Sequence, residues 1–156
     1  MAETNEKQAA HPEFRMQKMY TKDLSFESPS APAVFLDGGS EPKVELNLQL
    51  NNKKVDDDHW EVSLEINAKV TADDGAKTLF ILELEHAAIF WVRNIPEEHL
   101  AMVLAVDCPT LLFPFTRQIA SQVSVDGGFA PFLMEPVNFM ALFQGAKKQE
   151  QEQTAN

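Results

Sequence analysis

Two runs of strict alternation constrain the fold more than any other feature of the chain. In the first, Val44, Leu46, Leu48 and Leu50 alternate with Lys43, Glu45, Asn47 and Gln49; in the second, Trp60, Val62, Leu64, Ile66, Ala68 and Val70 alternate with Glu61, Ser63, Glu65, Asn67 and Lys69. A period of two puts every apolar side chain on one side of an extended backbone, so both runs read as strands with one buried face. Asp74-Gly75 supplies the positive-φ residues of a tight hairpin, and a further strand follows from Lys77 to Glu85. Upstream, Phe14 to Phe26 reads as a strand whose apolar phase slips twice: Phe14 and Met16 are in step, Met19 and Thr21 are displaced by one, and Leu24 and Phe26 return. Such slips mark β-bulges. Val34 to Lys43, with Gly38-Gly39 and Pro42, is too long for a two-residue turn and is expected to cross to another position in the sheet.

After Phe90 the period becomes helical. Pro96 suits a first turn and opens Glu97 to Val106, Pro109 and Pro114 interrupt the pattern, and Phe115, Ile119 and Val123 carry a stripe on to Gly127-Gly128. This predicts one kinked helix. Pro136 opens a shorter one, in which Phe139, Leu142 and Phe143 share a face. Four antiparallel strands followed by two helices make an α+β domain with the helices on one face of the sheet. The last strand is apolar on both sides over Leu79 to Leu82, so the face the helices leave bare is expected to meet another subunit. The polar residues 1–12 and 146–156 are expected to be disordered flanks of a domain spanning 13–145.

A chain of 156 residues is long enough to bury a proper core. Its net charge of −11, from 24 acidic and 13 basic residues, argues against a nucleic-acid partner, whose phosphates need Lys and Arg. Solubility and a basic protein partner both account for that charge. The start of the chain lacks the charged, apolar and small-residue order of a secretory signal, and no apolar run approaches the roughly 20 residues of a membrane span, so cytoplasm is the expected location.

Catalytic patterns are missing from the sequence. His11, His59, His86 and His99 have no metal-ligand spacing among themselves or with Cys108, and Asp56-Asp57-Asp58 lacks the glycine and closing glutamate of a calcium loop. No phosphate cradle or nucleophile elbow is present, and Cys108 lies in apolar company that would raise its pKa. No enzyme activity, cofactor or metal is therefore expected. Eleven phenylalanines against one tyrosine are more suggestive. Most belong in a core, yet Phe35 and Leu36 on the crossover, with Met134 and Met140 near the last helix, suit the floor of an adaptable apolar groove. On the sheet, Glu61 and Glu65, flanked by Asp23, Glu27, Glu83 and Glu85, suit either a solvated face or a basic partner.

Three blocks, YTKDLSFESPSAP (Tyr20 to Pro32), CPTLLFPF (Cys108 to Phe115) and EPVNFMALF (Glu135 to Phe143), together resemble the SecB family of export chaperones, in its order and spacing over about Phe14 to Phe143. The resemblance implies a four-stranded antiparallel sheet with two helices, assembled as a dimer of dimers. It implies an ATP-independent cytosolic holdase that binds unfolded precursor proteins and delivers them to the translocation ATPase SecA. It assigns Asp23, Glu27, Ile81 and Glu83 to SecA binding, and Phe35, Leu36, Val137, Phe139, Leu142 and Phe143 to the client groove. It places Leu82, Leu84 and His86 at the tetramer interface. Ala87-Ala88 stands where many relatives carry glycine, and Gly38-Gly39 where some place a tryptophan. Two other readings remain: an acidic scaffold subunit that binds a folded basic partner, and a ligand-binding or enzymatic domain with a closed polar pocket.

Overall fold

The computed structural model describes residues 11–36, 38 and 41–155; Gly39 of the crossover and residues 1–10 of the expected N-terminal flank lie outside them. Four strands, β1 (Glu13–Glu27), β2 (Lys43–Lys54), β3 (His59–Ala72) and β4 (Lys77–Arg93), form one antiparallel sheet in the order β1-β4-β3-β2. The crossover carries the chain from one edge to the other, with a short 3-10 turn at Ala33–Phe35. Both expected bulges are present, as register shifts between Met16 and Lys18 and between Thr21 and Asp23. The β3–β4 turn is wider than a two-residue hairpin: Ala72 pairs with Lys77, and Asp73, Asp74 and Gly75 all take positive φ. Aspartate tolerates the left-handed region nearly as well as asparagine, which lets the loop grow around Asp74-Gly75.

A long helix, α1 (Glu97–Asp126), and a second, α2 (Phe139–Thr154), complete the domain. α1 covers β1, β4 and β3. Beneath it lie Val62, Leu64 and Ile66 of β3 and Leu82, Leu84, Ala88 and Phe90 of β4, all buried. Inside α1 the residues Val103–Asp107 form a π-helical stretch, in which the Cys108 N–H bonds back to the Val103 carbonyl. Pro109 follows at once. It brings no N–H and a ring that crowds the preceding turn, so the looser winding lies where the sequence places a kink.

α2 begins later than Pro136 suggests. Asn138 is its cap, the side-chain oxygen accepting from the Ala141 N–H at 3.0 Å. It also ends later: helical backbone continues through the polar stretch after 145 to Thr154, where the composition suggested a disordered tail. The stretch is rich in Ala, Lys, Gln and Glu, all strong helix formers, so a helix already started by Phe139 propagates through it without packing.

Candidate functional site

Strand β4 has a different chemistry on each side. On the helix side Phe80 stacks on Phe26 at 5.4 Å and meets Phe129 at 5.1 Å and Phe132 at 6.1 Å, while Phe35 of the crossover touches Phe129 at 5.2 Å. These five rings join β1, the crossover, β4 and the α1–α2 connection. Next to them an open groove of about 490 Å³ is lined by Val44, Val70, Leu79, Phe132 and Leu133, with no charged residue in its wall among the described residues. A second hollow, lined by Val34, Phe35 and Ala72, shares Leu79, Phe129 and Ala130 with it. Although the π-helical stretch of α1 touches β2, Val44 and Leu46 of that strand stay half exposed beside the groove.

The aromatic wall is held from the end of α1. Ser124 is fully buried; its Oγ donates to the Ser121 carbonyl at 2.7 Å and accepts from the Phe132 N–H at 2.8 Å. The Phe129 N–H bonds to the Ser124 carbonyl at 3.0 Å. A Cβ on Gly127 would run into the Phe26 ring, and Gly128, at φ +93, lies against Phe35. Two glycines therefore end the helix and let two rings approach its last turn.

Of the residues assigned to the groove, Phe35 and Leu36 are 50% and 86% exposed, and Phe35 lines the adjoining hollow. The opposite wall differs from the expectation. Phe139 is buried against Phe113 at 5.9 Å and belongs to the core. Val137 and Phe143 also pack on the core, and only Leu142 presents an exposed side chain. None of these four lines the hollow around Phe35, whose facing wall is Phe129 and Ala130. The pattern Gly-Gly-Phe-Ala-Pro-Phe, from Gly127 to Phe132, was the available signal: an aromatic pair next to a helix stop, in a loop too apolar to be solvated.

On the other side of the sheet the register brings the four docking candidates together. Asp23 pairs with Glu85, Ser25 with Glu83 and Glu27 with Ile81, so Asp23, Glu27, Ile81 and Glu83 share the outer face on adjacent strands. β3 extends it: Glu65 lies opposite Glu85 and Asn67 opposite Glu83. Further along, the Tyr20 hydroxyl donates to Glu61 Oε2 across β4, and Lys22 Nζ lies 3.0 Å from Glu61 Oε1 and 3.8 Å from Glu85. Burial, then the Glu61 hydrogen bond, pushes the Tyr20 pKa far up; the same bond, followed by Lys22, holds Glu61 below its ordinary value.

Leu82, Leu84 and His86, which the resemblance places at a tetramer interface, are buried within their own chain. They face α1 of their own chain and are 0%, 2% and 3% exposed. His86 Nδ1 sits 2.7 Å from Thr116 Oγ1, and burial lowers its pKa. What α1 turns outward is a different stripe, Leu111, Phe115 and Val125, each more than two-fifths exposed. Positional alternation located the strand's inner row but could not say which element covers it. Cys108 is buried, and burial, then the Asp107 carboxylate, raises its thiol well above the ordinary range.

A family model described as preprotein translocase subunit SecB matches residues 7–151. The chain is 50% identical over 142 residues to the protein-export protein SecB of Magnetococcus marinus, covering 91% of this chain and 89% of that one. It is 39% identical to that of Thiobacillus denitrificans, covering 93% of each. Its fold is similar to that of a SecB-like chaperone from Mycobacterium tuberculosis solved in complex with an antitoxin's ChAD peptide, with a TM-score of 0.66 at 14% identity, covering 80% of this chain and 91% of that one.

Proposed function

Because the chain belongs to the SecB family of protein-export chaperones, we propose that it is an ATP-independent holdase. It keeps unfolded precursor proteins competent for translocation and delivers them to SecA in the cytoplasm. The observation that carries this reading is the back-to-back arrangement on β1 and β4. Phe26 and Phe80 stack in the aromatic cluster beside the groove, and their sequence neighbours Glu27 and Ile81 pair on the acidic outer face. Clients bind in the groove at Phe35, Leu36, Leu79, Phe129, Phe132 and Leu133, with Leu142 as an outlying apolar contact; SecA docks through Asp23, Glu27, Ile81 and Glu83. An open apolar groove takes side chains that are exposed only while a client is unfolded, and several weak grooves on one long chain raise avidity about 10² to 10⁴-fold.

Assembly as a homotetramer supplies those several grooves. Its contact is the outward stripe of α1, since a helix that buries one apolar side and exposes another has a further partner. The decisive experiment is titration calorimetry of one precursor before and after it folds. Binding only to the unfolded form is expected; equal binding to both forms would establish an acidic scaffold instead.

A further inference from the structure

The bulge between Thr21 and Asp23 has a chemical consequence for the docking face. In a regular strand Lys22 and Asp23 would point to opposite sides of the sheet. Here both serve the outer face: Asp23 pairs with Glu85, and Lys22 reaches Glu61 and Glu85. The same register lines up Asp23, Glu85 and Glu65 on three adjacent strands. Neighbouring strands are about 4.8 Å apart, and like charges directly opposite one another repel. Among the described residues, Lys22 is the cation with an ion pair into this row, and it holds Glu85 less closely, at 3.8 Å, than Glu61 beside the row, at 3.0 Å.

We propose that Lys22 is a built-in competitor cation that sets the specificity of the acidic face: a partner's basic segment docks by displacing its ammonium from Glu85, while Glu61, held by Tyr20, retains it. This rests on the reading of the outer face as the docking surface. A partner offering one isolated lysine exchanges one cation for another at Glu85 and gains little. A clustered basic segment fills Glu85 and also engages Asp23, Glu27 and Glu83, so the device selects charge clusters over single charges. Bulges re-aim side chains next to functional surfaces, and this one supplies a counter-ion.

The test is titration of the full-length protein with a hexalysine peptide at fixed ionic strength, with thermal melts of each variant. Lys22→Met should bind roughly 1.5- to 5-fold tighter, the scale of one exposed ion pair. Lys22→Arg should restore wild-type affinity, and Lys148→Met, which changes net charge equally on α2, should leave it unchanged. Glu27→Lys with Glu83→Lys should weaken binding. If that double variant binds less tightly while Lys22→Met is equal to or weaker than wild type, the docking face stands and the competitor role is overturned. An equal gain in Lys148→Met also overturns it, because net charge alone is then at work. If the double variant binds like wild type, the reading of the face fails, and the role of Lys22 with it.

Discussion

The two sides of β4 are built by different physics, though they alternate residue by residue. Leu82 is fully buried beneath α1, while Glu83, the next residue, faces solvent on the outer side. The inner side depends on shape: five rings, two glycines and a buried serine hydroxyl must fit together, and each is sensitive to small displacements. The outer side depends on the sum of its charges, so single positions matter less and salt matters more. The proposed function would use this asymmetry, because an apolar groove tolerates variety while an array of charges sets orientation.

The sharpest way to break the comparison is to place the same kind of change on both sides. Leu82→Arg buries an unpaired charge beneath α1 and should cost several kcal/mol, unfolding the protomer rather than splitting an oligomer. Glu83→Lys should shift stability by no more than about 0.5 kcal/mol, as surface changes usually do. Urea titration followed by circular dichroism reads both, and similar losses in the two variants would refute the two-sided description.

A smaller effect is expected at the aromatic wall. Gly127→Ala places a methyl group where the Phe26 ring sits and should cost about 1 to 3 kcal/mol through overpacking, with client binding falling more than SecA binding. Equal weakening of both partners would show that the faces are not separable.

Mild acidification, through the imidazole range and above the carboxylates, probes the inner side. His86 has a lowered pKa in the folded protein because burial disfavours the imidazolium, so the unfolded chain takes up its proton first. Stability should therefore be lost as pH falls through the unfolded value of about 6.5 toward the lower folded one. His86→Gln should flatten that part of the profile. A denaturant midpoint that changes identically with pH in both proteins would remove His86 as the cause.

The smallest effect should come from the outer side. Exposed pairs contribute about 0.2 to 1 kcal/mol each, so Glu27→Lys with Glu83→Lys should weaken SecA roughly 2- to 30-fold while leaving the melt and client affinity unchanged. Raising the salt should narrow the gap between wild type and variant. Unaltered SecA affinity in the double variant would move docking elsewhere.

Much of this was legible in the sequence because it depends on periodicity. Alternation in β2 and β3 sets which side chains face inward, and the double slip in β1 located both bulges from apolar phase alone. Once the strands pair, the gathering of Asp23, Glu27, Ile81 and Glu83 on one face follows from alternation and register, both local properties of the backbone. What only the tertiary structure decided is which apolar row is covered and by what. Phe139 and Phe129 look alike in sequence, yet one packs on Phe113 and the other walls the groove. The resemblance places Leu82, Leu84 and His86 at a subunit interface, and in the structure they are buried within their own chain, with His86 against Thr116 of α1. Burial by a distant element is a non-local event: it depends on where α1 stops over the sheet, which two glycines and Ser124 determine at its far end.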